Sequence, residues 1–242
     1  YAWIATFLGE PNSNFEQNLI FTANCSHSAE VITLSMKPPK GFSEHLADFY
    51  IRQFIDQSGH SLHSRGFQTD DCLIKATEAD INTGKKLLRE IGLGSGEKLM
   101  VIQPGSGGEK KCWHLENFLA VAGELDSRGV EIIFLLGPAE MDRFSDAKIK
   151  KISSVGKCLT DLSLTQVLGL LSCVDGFIGN DSGITHLAAA LGIKTYGVFG
   201  PTNPAVYKSI GPAVTVFKGS TASFARKPSV SLQRKLLKVL TV

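Results

Sequence analysis

From Lys98 onward, short blocks that are almost wholly apolar alternate with longer stretches in which apolar residues recur every three or four positions. The first pattern predicts buried strands and the second amphipathic helices. Strands are expected at residues 99–102, 130–136, 155–159, 174–178, 195–199 and 214–217. Helices are expected at 115–127, 139–149, 164–171, 184–191 and 231–239. The helix at 139 begins just after Gly137-Pro138, and Ser163 is placed to cap the helix at 164. Runs such as Glu131-Ile132-Ile133-Phe134-Leu135-Leu136 have no polar face, which fits strands covered on both sides. Strand and helix in alternation, joined by short connections, build a parallel sheet between two layers of helices. Ligands on such sheets lie outside the carboxyl ends of the strands. That rule selects the loops after Ile102, Leu136, Leu159 and Ile178.

The N-terminal region is less regular. Apolar runs at residues 4–8, 18–22 and 31–35 are expected to be strands, the first and last of them running into turn-rich segments. Residues His45, Leu46, Phe49, Tyr50 and Phe54 have helical spacing, and the polar stretch 57–69 is expected to be a connector. Two domains follow: an N-terminal α/β domain over 1–95 and a Rossmann-like domain over 96–242. The chain opens on Tyr1, almost directly in an apolar run, and further residues are expected to precede it.

Composition narrows the function classes. A net charge of +2 with scattered Lys and Arg gives no track for nucleic acid. No apolar run reaches the ~18 residues that a membrane-spanning helix needs. The five cysteines (Cys25, Cys72, Cys112, Cys158 and Cys173) are odd in number and form no CxxC, which fits reduced thiols and neither a disulfide framework nor a zinc site.

Chemistry gathers in the loops. Gly179-Asn180-Asp181-Ser182-Gly183-Ile184-Thr185-His186 leaves a strand and opens a helix, whose unpaired N–H groups suit a phosphate. Gly183 allows close approach, while Ser182 and His186 offer donors. Asp181 would repel phosphate and is better suited to sugar hydroxyls. The plainer reading is an N-cap with a packing histidine. The second loop, Gln103-Pro104-Gly105-Ser106-Gly107-Gly108-Glu109-Lys110-Lys111, supplies backbone N–H groups and the Lys111 charge. It is neither a Walker A loop nor a GxGxxG, and a mobile glycine turn is the alternative. Glu140 at a helix start fits ribose hydroxyls or simply the helix dipole. Leu162 fits a base or the core.

Together these residues resemble glycosyltransferase family 9. The shared pattern comprises the PGSGG stretch at 104–108, K-x-W at 111–113 and GPxE at 137–140. It continues with L-S-L-x-x-V-x-x-L-L at 162–171, G-N-D-S-G-x-x-H-L-A-A-A-L-G at 179–192 and F-G-P-T-x-P at 199–204. The match spans about residues 98–212. It departs at His114, where the family commonly has proline, a change expected to alter loop stiffness more than chemistry.

The resemblance implies a GT-B-type α/β fold, with a Rossmann-like C-terminal domain beside a short N-terminal α/β domain. It implies an inverting, metal-independent transfer of a sugar, heptose, from an ADP-sugar to a lipopolysaccharide core acceptor. The donor is a substrate, and no cofactor is expected. Ser106, Gly107 and Lys111 would hold phosphates, Glu140 the ribose and Leu162 the adenine. Asp181 would meet the sugar, with Ser182, Gly183 and His186 at the pyrophosphate. The protein would work in the cytoplasm, with at most peripheral contact to the inner membrane. The family's general base, an aspartate in the N-terminal domain, matches no residue here, so the catalytic residue is unassigned. Two rival readings stand beside this one. One is a nucleotide-sugar-binding module without transfer activity. The other, an NAD-dependent oxidoreductase, is disfavoured by the broken glycine fingerprint.

Overall fold

The computed structural model describes residues 3–25, 28–59, 71–94 and 96–240. Most of the expected connector at 57–69 therefore falls outside the described residues. The chain forms two compact units, one drawn from residues 1–67 with Ala205–Tyr207 and the other from Gln68–Pro204 with Lys208–Val242.

In the first unit, β1 (Trp3–Thr6) and β2 (Glu30–Thr33) form a parallel pair in the register Trp3 to Glu30. Helix α2 (Leu46–Ser58) is capped by His45, which accepts from the Ala47 N–H, and it ends at Gly59 in the left-handed region (φ 65°). The run at 18–22, expected to be a strand, instead lies inside helix α1 (Asn14–Asn24). Two contacts decide this. Ser13 accepts from the Glu16 N–H at 3.3 Å, and Glu16 accepts from the Asn12 N–H at 2.6 Å. The half-covered positions of this segment, Glu16, Leu19 and Ala23, follow helical spacing, which the unbroken apolar run Leu19-Ile20-Phe21 conceals.

The second unit is a six-stranded, wholly parallel sheet in the order β5-β4-β3-β6-β7-β8. Its strands are β3 (Lys98–Gln103), β4 (Val130–Leu136), β5 (Lys157–Thr160), β6 (Gly176–Asn180), β7 (Lys194–Phe199) and β8 (Val214–Lys218). Its helices are α3 (Glu78–Glu90), α4 (Leu115–Asp126), α5 (Pro138–Met141), α6 (Asp146–Ser153), α7 (Leu164–Leu171), α8 (Gly183–Ala190) and α10 (Val230–Val239), while the short α9 (Pro204–Tyr207) falls almost wholly in the first unit. Successive strand residues serve opposite layers. Met100 and Ile102 join Phe118, Val121 and Leu125 of α4 and Leu236 of α10. Leu99 and Val101 join Leu87 and Leu88 of α3 and Val167 and Leu170 of α7.

Two details depart from the periodic pattern. The helix expected over 139–149 is split into α5 and α6, because the intervening turn brings Phe144 against the core and sets Ser145 in an extended conformation (ψ 158°). Helix α3 lies before the boundary placed near residue 95, yet it packs in the second unit. Thr77 caps it in a reciprocal box with Asp80, the Thr77 N–H donating to Oδ2 at 2.8 Å. It meets α7 at Gly84 and Gly169, so closely that a Cβ on Gly84 would lie 2.0 Å from the Gly169 carbonyl oxygen.

The chain runs from β3 outward to β4 and β5, then crosses back to β6 on the other side of β3. The carboxyl ends of β3 and β6 therefore flank a topological switch point, where open α/β sheets bind ligands.

Candidate functional site

Four loops converge on a cavity of about 390 Å³. It is lined from the loop after β3 by Ser106 and Gly107, after β4 by Glu140, after β5 by Leu162, and after β6 by Ser182 and Gly183. These are six of the nine residues singled out in the sequence, and all four selected loops contribute. Leu164, Val167 and Ile184 add apolar side chains to the lining. The start of α8 and the glycine loop also border the cavity, and there backbone N–H groups and a partial positive charge favour an anion.

The loop after β3 is fixed by side chains from its neighbours. Asn180, wholly buried at the end of β6, donates through Nδ2 to the Pro104 carbonyl at 2.8 Å and the Gly105 carbonyl at 3.2 Å. Its Oδ1 accepts from the Trp113 N–H at 2.7 Å. Ser106 donates through Oγ to the Asp181 carbonyl at 2.7 Å. Arg143 reaches across from the end of α5, donating through Nη2 to the Ser106 carbonyl and through Nε to the Ala139 carbonyl at 2.7 Å. Gln103 accepts from Ser182 Oγ at 2.9 Å, and that same oxygen accepts from the Thr185 N–H at 3.3 Å. Ser182 is thus both an N-cap of α8 and a wall of the cavity.

None of Asn180, Gln103, Arg143 and Thr185 was singled out from the sequence. Asn180 sat inside the G-N-D-S-G run, and a buried amide among backbone carbonyls was the clue available there. Arg143 gave no pattern at all, because its partners are two main-chain oxygens and the Cys112 sulfur 31 residues away. His114 caps α4, its ring nitrogen accepting from the Glu116 N–H at 3.4 Å, and its own N–H donates to the Phe224 carbonyl at 3.1 Å. A proline at this position could not make the second bond.

Glu140 combines the two roles weighed for it. Oε2 accepts from the Gly137 N–H at 2.8 Å, closing the turn before α5. Oε1 is buried and has no hydrogen-bond partner. Burial raises the carboxyl above its ordinary value, against the Gly137 hydrogen bond and the Arg143 charge. A buried acceptor left open in a cavity wall is costly unless something donates to it. Glycine is required opposite, since a Cβ on Gly105 would lie 1.6 Å from Oε1.

Lys111, Asp181 and His186 lie outside the cavity lining and form their own cluster. Lys111 Nζ is 2.8 Å from Asp181 Oδ2, and His186 Nε2 is 3.9 Å from Oδ1. The Asp181 side chain is 8% exposed and that of Lys111 is 40% exposed. Burial pushes the Asp181 carboxyl upward, but His186 and Lys111 outweigh it and hold the group below its ordinary value. Among the described residues, no group of three or more His, Cys, Asp or Glu side chains is placed to hold a metal ion.

The family profile described as "Glycosyltransferase family 9 (heptosyltransferase)" matches residues 55–237. A lipooligosaccharide heptosyltransferase 2 of Campylobacter jejuni (serotype O:2) is 32% identical over 192 residues, which is 76% of this chain and 58% of that protein. A lipopolysaccharide heptosyltransferase 3 of Escherichia coli is 30% identical over 142 residues, 55% of this chain and 41% of that protein. The chain therefore spans about half the length of such relatives. Among solved structures, the E. coli ADP-heptose lipopolysaccharide heptosyltransferase II superposes with a TM-score of 0.66 at 16% identity, over 98% of this chain and 73% of that one. The E. coli heptosyltransferase WaaC with ADP gives 0.62 at 16% identity, over 98% and 72%. At that identity the likeness is one of fold.

Proposed function

The chain belongs to glycosyltransferase family 9, and from that premise we propose that it binds the nucleotide-sugar donor of a heptosyl transfer. The donor would be ADP-heptose, and the acceptor a lipopolysaccharide core sugar, glycosylated with inversion. The observation that carries the reading is the cavity at the switch point. It combines apolar side chains that could pack on a base, the unpaired Glu140 Oε1, and two N–H-bearing loops.

In this reading Leu162 packs on the adenine, and the ribose hydroxyls donate to Glu140. Ser106, Gly107 and the Ser182-Gly183 start of α8 hold the diphosphate. Lys111 donates to the phosphates while keeping Asp181 as a partner, and Asp181 and His186 face the sugar and the second phosphate. Fixed dipoles and the lysine charge stabilise the departing diphosphate, the part that a divalent metal plays elsewhere. The enzyme would act in the cytoplasm. No described helix is long and apolar enough to cross a membrane.

ADP titration of wild type and Lys111→Ala tests the site. Losing a charge-assisted hydrogen bond costs about 1.5–3 kcal/mol, or roughly 10–150-fold in affinity, with Tm little changed. Equal affinity would remove Lys111 from the site. The transfer itself is tested by mixing the chain with ADP-heptose and a heptose-deficient core acceptor and measuring released ADP. Release at about one per second supports transfer by this chain, whereas ADP binding without release supports the binding module.

A further inference from the structure

Just before the start of α8 the chain places an ion pair where a purely cationic pocket would otherwise lie. Lys111 Nζ already has a carboxylate partner at 2.8 Å. Asp181 is nearly enclosed, while its main-chain carbonyl is tied to Ser106 and its neighbour Ser182 to Gln103. The carboxylate therefore stands at a fixed point beside the helix start that receives the phosphates. A site built only to grip phosphate gains from every positive charge and loses from a carboxylate.

We propose that Asp181 is a specificity-determining residue that excludes nucleoside triphosphates: it neutralises Lys111 and sets a fixed negative charge where a third phosphate would enter. This rests on the nucleoside diphosphate reading of the cavity. The group that follows the second phosphate meets an uncharged environment overall, with carboxylate oxygens able to accept hydrogen bonds. A sugar suits such a compartment. A third phosphate brings further negative charge toward Asp181, and Lys111 is already engaged. Discrimination by repulsion lets a site reject an abundant look-alike that shares every other contact. Close like charges in a partly desolvated setting easily shift affinity tenfold.

The experiment is calorimetric titration of the full chain with ADP, ADP-glucose and ATP, in EDTA so that no divalent ion masks the third phosphate. Wild type is expected to bind ATP at least about tenfold more weakly than ADP-glucose. In Asp181→Asn, which keeps the size of the side chain, ATP should gain about tenfold or more relative to ADP-glucose, with ADP still bound. An unchanged ATP to ADP-glucose ratio in a variant that binds ADP overturns the inference and leaves the cavity reading standing. Failure of wild type to bind any of the three overturns the cavity reading, and the inference with it. If Asp181→Asn does not fold, wild type alone decides, because ATP binding as tightly as ADP-glucose refutes the exclusion.

Discussion

Asn180→Ala should cost more stability than any loss of contact surface would suggest. The side chain is wholly buried and makes three hydrogen bonds, to the Pro104 carbonyl, the Gly105 carbonyl and the Trp113 N–H. Each neutral hydrogen bond contributes about 1 kcal/mol net, and a buried partner left unpaired costs about 1–3 kcal/mol. Three orphaned main-chain groups therefore put the loss at roughly 3–5 kcal/mol. For a chain of this size that lowers Tm by roughly 10 °C. Urea unfolding followed by Trp113 fluorescence, in a Trp3→Phe background that removes the other tryptophan, reports on this unit. Asn180→Asp keeps the acceptor for Trp113 but turns a carboxylate oxygen toward two carbonyls. Its folded pKa is then raised, so stability is retained below the unfolded value and lost as pH rises through the folded one. A loss under about 1 kcal/mol in Asn180→Ala would mean that the loop re-satisfies its own groups, and the bracing argument would fail.

Glu140→Gln is expected to make the unliganded chain less sensitive to pH. Burial raises the carboxyl, so its favourable contribution is complete below the unfolded pKa and fades as pH rises through the folded one. Urea midpoints of wild type and variant should therefore diverge from pH 4 to pH 7 in the variant's favour, and a constant difference would refute the assignment. Gly84→Ala places a Cβ 2.0 Å from the Gly169 carbonyl oxygen and should destabilise by about 1–3 kcal/mol through overpacking of α3 on α7. Thermal unfolding unchanged within about 0.5 kcal/mol would show that the helices slide apart freely.

The sheet was legible because its inner strands, above all β3, β4 and β7, are buried on both faces and need largely apolar runs, which the sequence displays, whereas the edge strands β5 and β8 are only partly covered. The four loops that line the cavity followed from strand direction alone. Helix α3 escaped because its buried face is thin: Ile81 is only partly covered, and a glycine takes the place of an apolar side chain at the α7 contact. The Thr77–Asp80 box was readable but offered no strong apolar stripe behind it. Residues 18–22 misled for the opposite reason, since three apolar residues in a row carry no period. In the site, residues whose side chains face the cavity were visible by type, whereas Asn180 and Arg143 act on main-chain oxygens and leave no trace in spacing. The pairing of Lys111 with Asp181 joins positions 70 residues apart, a distance no local pattern spans.

The loop after β3 is fastened at Ser106 and again at Trp113, while residues 107–110 between those anchors are exposed. The hydrogen bonds that hold it to the end of β6 therefore lie at its two ends. Changing the length of such a tethered segment alters closure entropy only slowly. If the loop holds the donor phosphates as proposed above, variation in these positions would retune which anionic group is gripped without re-evolving the scaffold. The same separation would then give a protein engineer a short randomisable window, bounded by two fixed posts, through which donor preference could be rewritten.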